Sequence, residues 1–171
     1  MSKTSRRSFV QASALAAGAA ATFSVPQVLL GQRGANERIR VGLVGLGGRM
    51  HSHVGSLAAM AESDNVEIAA VCDCDKKKLA TAETDYPQLA NFKLKKYSSQ
   101  EELFADKSID AISFSTQDHW HALQTILACQ AGKHVYVEKP PTWCIWEGRK
   151  MVEAARKYRC MVQIGTQNRS S

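Results

Sequence analysis

The stretch "RIRVGLVGLGGRM", residues 38–50, joins a short apolar run to a cluster of glycines. The apolar run has the length of a buried β-strand. From Met50 onward, the apolar residues Val54, Leu57 and Ala61 recur at helical spacing. Glycines at the junction permit a tight turn that residues with side chains resist. The stretch therefore predicts a β-strand, a sharp turn and an α-helix in succession.

The same succession of strand and helix repeats along the rest of the chain. When helices join parallel strands, they cover both faces of the sheet. Right-handed crossovers that extend the sheet in both directions from its first strand make it doubly wound. We therefore expect an α/β fold, a doubly wound parallel sheet of about six strands in a single domain. The further predicted strands are "VEIAAVCD" (66–73), "FKLKKYS" (92–98, at a sheet edge), "IDAISFST" (109–116), "HVYV" (134–137) and "CMVQIG" (160–165).

The last predicted helix covers residues 143–158. Thr142 precedes it and has the hydroxyl side chain that commonly caps a helix N-terminus. Ile145, Val152 and Ala155 recur on one side of this helix. We therefore expect these three side chains to face the core.

The glycine cluster contains the G-x-G spacing of a Rossmann-type dinucleotide-binding loop. Gly45 is suited to the tight turn, and Gly47 lets the backbone approach a pyrophosphate at the helix N-terminus. The third glycine of the motif is replaced by Met50, although Gly48 lies close by. These four residues and Arg49 are therefore candidate cofactor-binding residues.

An acidic residue follows the second predicted strand. Asp73 lies 28 residues beyond Gly45. A carboxylate there can accept hydrogen bonds from both ribose hydroxyls of adenosine, and its charge repels a 2′-phosphate, so NAD is expected rather than NADP. Two alternatives stay open at this point. Asp73 can be a turn residue or helix cap, and an S-adenosylmethionine enzyme also uses a glycine loop followed by an acid.

Polar residues follow the fourth and fifth predicted strands. These are "STQDHWHA" (115–122) and "EKPP" (138–141). Ligands of open parallel sheets bind at the carboxyl ends of strands near the point where the strand order reverses. Both segments are therefore expected to face the nicotinamide half of a bound dinucleotide.

Several segments together resemble the amino-terminal half of the Gfo/Idh/MocA family, the glucose-fructose oxidoreductase and inositol dehydrogenase group. The resemblance covers about residues 36–171, and its most specific part is the E-K-P element. It implies an NAD(P)-dependent enzyme that oxidises or reduces hydroxyl carbons of sugars and polyols. The segments are "VGLVGLGGR", "VCDCD", "STQDHWHAL", "AGKHVYVEKP", "WEGRKMVEAARK" and "GTQNRS".

The resemblance also implies roles for individual residues. Lys139 matches the lysine that contacts the substrate hydroxyl and the nicotinamide ribose, and Glu138 matches its cofactor-contacting neighbour. The segment from Thr116 to His121 matches the loop beside the nicotinamide. The remaining cofactor-binding candidates that the resemblance implies are Thr116, Asp118, His121 and Gln167.

The chemistry of hydride transfer independently suits a lysine at position 139. Removing a hydride from a carbinol carbon also requires removal of the hydroxyl proton. An ammonium group in a pocket of low dielectric gives up its proton more readily, so it can shuttle that proton or polarise the developing carbonyl. Lys139 is therefore the catalytic candidate, and the alternative is an ordinary solvated lysine.

The amino terminus has the layout of an export signal, with a basic head, an alanine-rich run and a polar tail. The uncharged run from Val10 to Phe23 has 14 residues, against about 20 strongly apolar residues for a membrane helix, so no stable membrane span is expected. The adjacent Arg6 and Arg7 resemble the twin-arginine signal, whose pathway exports folded proteins to the periplasm. An ordinary secretory signal or a basic terminus is the alternative.

Composition argues against two other classes of function. The formal net charge is +6, and three of the positive charges, Lys3, Arg6 and Arg7, lie ahead of the alanine-rich run of the expected signal. The remaining charges are spread along the chain, so no basic patch for nucleic acid is predicted. The five cysteines lack the paired spacing of a zinc site, so no metal is expected.

The length of 171 residues allows one substantial core. We expect residues 1–35 to be signal and linker, and residues 36–171 to be the NAD(P)-binding domain. Family members continue into a substrate domain, so we expect a truncated oxidoreductase with little activity alone, which takes a sugar or polyol only when completed. No oligomer is expected without that domain. The alternatives are a non-catalytic nucleotide-binding module or partner subunit, and an NAD-dependent glycosidase, which Lys139 disfavours.

Overall fold

Six parallel strands form the sheet in this computed structural model, which describes residues 38–167. The expected export signal, residues 1–35, lies outside the described residues. The strand order is β3-β2-β1-β4-β5-β6, and every neighbouring pair is parallel. The expectation of a doubly wound sheet of about six strands is confirmed. The strands are β1 (Ile39–Val44), β2 (Val66–Cys72), β3 (Lys95–Tyr97), β4 (Ala111–Phe114), β5 (His134–Val137) and β6 (Val162–Ile164).

Helices cover both faces of the sheet and create two separate cores. On one face, Leu43 and Ile68 pack with Val54 of the first helix. On the other face, Phe114 and Val137 pack with the later helices. Alternation of side chains along each strand supplies both cores. The helices are α1 (Met50–Ser63), α2 (Lys76–Asp85), α3 (Gln100–Ala105), α4 (Asp118–Gln130) and α5 (Ile145–Tyr158), with a 3₁₀ turn at Pro87–Asn91.

The strand order reverses at β1, which lies between β2 and β4. Backbone hydrogen bonds continue past the strand ends at this point. Gly45 N donates to Cys72 O at 2.9 Å, and Ser115 N donates to Val44 O at 2.9 Å. The carboxyl ends of the three strands are therefore held at one edge of the sheet, where doubly wound folds bind their ligands.

The edge strand β3 is shorter than predicted and is held by a partly buried acid, Asp106. Lys95 Nζ donates to Asp106 Oδ2 at 2.7 Å, and the Tyr97 hydroxyl donates to the same oxygen at 2.8 Å. The hydrogen bond from Lys95 is the main reason that the pKa of Asp106 lies well below its ordinary range. These contacts anchor a strand whose lysine-rich sequence has little apolar surface to bury.

The start and the inner side of the last helix differ from the sequence-based expectation. Helix α5 begins at Ile145, and Thr142 does not cap it. The carboxylate of Glu147 accepts from Trp143 N at 2.7 Å instead. Ile145 is 94% exposed and Val152 is 43% exposed, so their predicted burial is wrong. The buried residues of this helix are Met151 and Ala154, which have an equally good helical spacing.

Candidate cofactor-binding site

A cleft of about 800 Å³ opens at the carboxyl ends of the strands. Ligand pockets in proteins commonly have volumes of about 300 to 1,000 Å³. The loops after β1, β2, β4 and β5 line the cleft, as the reversal of strand order predicts. Ten of the candidate residues lie in its walls: Gly45, Gly47, Gly48, Arg49, Asp73, Thr116, Asp118, His121, Glu138 and Lys139.

The glycine turn after β1 forms the floor of the cleft. Gly45 has a φ of +88°, and a Cβ at this position would lie 2.7 Å from Ser115 O. Both observations require glycine, because a side chain would be strained and would collide with the backbone after β4. A Cβ added at Gly47 or Gly48 would meet nothing within 4 Å. The backbone of these two residues therefore faces open space that a ligand can enter.

Tyr86 supports the glycine turn from behind, a role that sequence analysis did not identify. Its hydroxyl donates to Gly47 O at 2.9 Å. Its ring lies against His51, with ring centroids 4.4 Å apart. Burial raises the pKa of Tyr86, as do the nearby Asp85 and Asp73, so the hydroxyl remains a donor. The only signal in the sequence is an aromatic residue after α2.

Asp73 links the loops after β1 and β2. Its Oδ2 accepts from Leu46 N at 2.7 Å, and its Oδ1 accepts from Asp75 N at 2.9 Å. Each carboxylate oxygen has two lone pairs, so each retains one acceptor site. Asp73 therefore acts as a turn residue, and it can still accept hydrogen bonds from a ribose.

Glu138 lies at the end of β5 and is only 4% exposed. Its Oε1 accepts from Arg49 Nε and from His53 Nε2, both at 2.9 Å. Burial by itself raises the pKa of Glu138, but the hydrogen bonds from His53 and Arg49 outweigh this effect, so the pKa is lowered overall. Glu138 is therefore a buried anion, and two short hydrogen bonds hold its Oε1.

Lys139 is exposed and lies in the same cleft as the glycine turn. The backbone N–H of Lys139 donates to Glu138 Oε2 at 3.3 Å, and the peptide bond to Pro140 is cis. His121 is buried beside this segment, and its Nδ1 lies 2.7 Å from Pro140 O. His121 Nε2 also lies 3.2 Å from Thr116 O. Because a carbonyl oxygen can only accept, the shorter contact is a hydrogen bond when Nδ1 carries the proton. His121 therefore fixes the loop that carries Lys139.

Two candidate residues lie outside the walls of the cleft. Met50 is fully buried in the core beneath the glycine turn. Gln167 is exposed, and its side-chain amide lies 3.4 Å from Glu138 Oε1. Their predicted roles as cofactor-binding residues stay predictions.

Residues 38–167 contain neither a cluster of potential metal ligands nor a helix that could span a membrane. Within this range, no group of three or more His, Cys, Asp or Glu side chains is arranged to hold a metal ion. None of the helices in the same range has the length and apolar character needed to cross a membrane.

The fold and the cleft define a class of protein. A parallel sheet with a glycine turn after β1, an acid after β2 and a cleft at the reversal of strand order is a Rossmann-type dinucleotide-binding domain. Residues 39–166 match the family model Gfo/Idh/MocA, described as "Oxidoreductase family, NAD-binding Rossmann fold". The chain belongs to this family, and the resemblance stated from its motifs is confirmed.

Individual relatives are much longer than the segments that match this chain. A glycosyl hydrolase family 109 protein of Shewanella pealeana is 30% identical over 132 residues, which are 74% of this chain and 28% of that protein. A 1,5-anhydro-D-fructose reductase of Ensifer adhaerens is 44% identical over 63 residues, which are 37% of this chain and 19% of the reductase.

A solved structure shows the same pattern. The crystal structure of the WlbA dehydrogenase from Bordetella pertussis, in complex with NADH and UDP-GlcNAcA, is 32% identical with a TM-score of 0.67. The match covers 78% of this chain and 36% of that one. This chain therefore spans well under half the length of these relatives.

The contact between Tyr86 and the glycine turn can be tested directly. Tyr86→Phe removes the hydroxyl that bonds Gly47 O. We expect the free energy of unfolding to fall by about 1 kcal/mol, the usual net value of one hydrogen bond. We also expect the dissociation constant for NADH to rise about threefold, which corresponds to a loss of binding free energy of well under 1.4 kcal/mol. Urea denaturation and calorimetric titration measure the two quantities.

Tyr158→Phe is the matched control, because Tyr158 lies at the end of α5 and outside the cleft. It should leave NADH binding unchanged. A Tyr86→Phe variant with wild-type stability and affinity would contradict the supporting role.

Proposed function

We propose that this chain is the NAD-binding part of an oxidoreductase acting on hydroxyl carbons of sugars or polyols. One observation carries the proposal: Lys139 lines the same cleft as the glycine turn. Family membership supports NAD as the cofactor. The relative crystallised with NADH and a sugar nucleotide, and the relative named as a reductase of an anhydrosugar, support the substrate class.

The residues of the cleft fit a dinucleotide. The open backbone at Gly47 and Gly48 can approach a pyrophosphate. Asp73 retains acceptor sites for the adenosine ribose. Glu138 and Lys139 lie after β5, on the other side of β1 from Asp73. In this proposal the adenosine half therefore binds over β2, and the nicotinamide half binds near the ends of β4 and β5.

The chemical step needs a group that handles the hydroxyl proton. NAD⁺, when bound, supplies the hydride acceptor. In this proposal the neutral amine of Lys139 accepts a hydrogen bond from the substrate hydroxyl. It takes the hydroxyl proton and becomes an ammonium group as the hydride leaves the carbon for NAD⁺ and the carbonyl forms. The anion of Glu138 orients the Lys139 backbone, because its Oε2 accepts from Lys139 N.

We also propose that the site prefers NAD to NADP. Asp73 is almost buried at the end of β2, with its two oxygens held by backbone N–H groups. A 2′-phosphate brought to this carboxylate would meet a negative charge that cannot swing away.

We propose that the substrate walls come from elsewhere, either from a further part of the polypeptide or from a partner subunit. The supporting observation is coverage: the match spans 36% of a dehydrogenase chain that holds both NADH and a sugar nucleotide. In this proposal the 171-residue chain alone binds cofactor but turns over little or no sugar.

An NAD-dependent glycosidase is the second candidate, because relatives named as glycosyl hydrolase family 109 proteins are 30% identical to this chain. In such a reaction the hydride returns to the sugar, so no NADH accumulates. The family resemblance implies that such glycosidases lack a lysine in the E-K-P position, so Lys139 favours the oxidoreductase.

We propose that the protein is exported to the periplasm by the twin-arginine pathway. The adjacent Arg6 and Arg7, followed by an uncharged alanine-rich run, support this proposal. Export in a folded state suits a domain that must acquire its cofactor in the cytoplasm.

Cofactor binding is tested by calorimetric titration of the folded chain. We expect saturable NADH binding with a dissociation constant of about 1 μM or weaker, equivalent to about −8 kcal/mol, because in this proposal the walls that enclose the nicotinamide come from elsewhere. NADPH should bind more weakly. Lack of saturable NADH binding by a folded sample would refute the proposed function.

Asp73→Asn tests the preference between the two cofactors. The change removes the charge but keeps the size of the side chain, so the ratio of the NADPH and NADH dissociation constants should fall about tenfold, or 1.4 kcal/mol. Asp64→Asn, an exposed change at the end of α1, is the control and should leave the ratio unchanged. A constant ratio in Asp73→Asn would remove this residue from the adenosine site.

Product analysis separates the two candidate reactions. The chain is incubated with NAD⁺ and a panel of sugars and polyols, and separately with nitrophenyl glycosides. We expect no nitrophenolate release and at most slow NADH accumulation, which Lys139→Met abolishes. Release of nitrophenolate without NADH accumulation would establish the glycosidase instead.

Export is tested by fractionating bacteria that express the full chain. We expect the wild-type protein in the periplasm, and a variant with Arg6→Lys and Arg7→Lys in the cytoplasm. Lys3→Gln removes a positive charge from the same head and serves as the control. Periplasmic wild-type protein in a strain without the twin-arginine pathway would indicate an ordinary secretory signal.

A further inference from the structure

Two buried polar side chains lie beneath Glu138, and the proposed function gives neither a role. His53 belongs to α1, and Ser113 belongs to β4. His53 Nε2 lies 2.9 Å from Glu138 Oε1, and His53 Nδ1 lies 2.7 Å from Ser113 Oγ. The exposed fractions are 7% for His53 and 4% for both Ser113 and Glu138. The three residues form a continuous hydrogen-bonded chain away from solvent.

The chemistry of the partners determines where the protons lie. Glu138 is an anion and can only accept, so His53 Nε2 carries a proton. In the neutral imidazole, Nδ1 is then the acceptor, and the Ser113 hydroxyl donates to it. The edge of the His53 ring also packs against Tyr136, with centroids 5.3 Å apart at an interplanar angle of 89°. The orientation of the imidazole is therefore set on three sides.

Two hydrogen bonds of 2.9 Å hold Glu138 Oε1, but their donors differ in exposure. The Arg49 side chain is 45% exposed, whereas the His53 side chain is 6% exposed. Water and salt screen the contact with Arg49, and water can replace it. Nothing replaces the buried contact with His53, and loss of a hydrogen bond to a buried charge is costly. His53 is therefore the donor on which the position of Glu138 depends.

Glu138 follows β5, whereas Asp73 follows β2, three strands away in the sheet. The imidazole of His53 can therefore act on one end of the cleft without touching the other.

We propose that His53, oriented by Ser113, is a positioning residue that fixes Glu138 and thereby controls binding of the nicotinamide half of the dinucleotide but not of the adenosine half. This inference rests on the proposed function, in which Glu138 lies at the nicotinamide end. A purely structural role for the same hydrogen bonds would change stability without distinguishing the two halves of the ligand.

Titration with two ligands distinguishes a positioning role of His53 from a purely structural one. NADH occupies both halves of the site, and ADP carries only the adenosine half with its diphosphate. Calorimetric titration of the full chain with each ligand gives two dissociation constants. For His53→Gln, we expect the constant for NADH to rise about tenfold and the constant for ADP to stay unchanged. Ser113→Ala should show the same asymmetry with a rise of about threefold, because it frees the imidazole without removing it.

His134→Gln is the matched control. His134 is the first residue of β5, at the end of the sheet away from the cleft, and its Nδ1 accepts from Met161 N at 2.9 Å. The control therefore also removes a histidine that makes a structural hydrogen bond. We expect it to leave both dissociation constants unchanged.

Other results of these titrations would contradict either the inference or the proposed function. Equal weakening of NADH and ADP by His53→Gln, or no change in either, would overturn the inference. If His53→Gln does not fold, as judged by circular dichroism, Ser113→Ala decides by the same two constants. The inference would also be overturned if the folded wild-type chain bound NADH no more tightly than ADP. A wild-type chain that binds neither ligand would overturn the proposed function itself.

Discussion

The close approach of two backbone segments at Gly45 is the constraint on which the rest of the site depends. The chain leaves β1 with a φ of +88°, and Ser115 O lies 2.7 Å from the position of any added Cβ. This contact brings the loops after β1 and β4 together at the reversal of strand order. The cleft exists because both loops turn away from the sheet there, and only glycine permits the turn.

Acidic residues at both ends of the cleft have structural roles, and in the proposed function they also bind the ligand. Asp73 accepts from two backbone N–H groups, and Glu138 accepts from Arg49 and His53. A buried carboxylate without donors would be costly, so these contacts are a condition of placing the charge there. The same contacts keep each anion in position before a ligand arrives, and this reduces the ordering that binding requires.

The relatives show why the reaction must be argued from the site and not from the fold. They include proteins named as a glycosyl hydrolase, a reductase and a dehydrogenase. One sheet and one glycine turn thus occur with different activities, as is common among widely used folds. In this chain the proposed reaction depends on Lys139, which lines the cleft.

Local patterns in the sequence were enough to predict the six strands, their parallel arrangement in a doubly wound sheet and the glycine turn. Strand and helix periodicity and turn chemistry act over a few residues, so they can be recognised in the sequence. They were not enough to choose the inner side of α5, where two apolar spacings compete and only packing against the sheet selects Met151. The support of the cleft by Tyr86, His53 and Ser113 was likewise decided by the folded arrangement. These contacts join residues that are 39, 85 and 60 positions apart in the sequence, and no local sequence pattern predicts contacts over such separations.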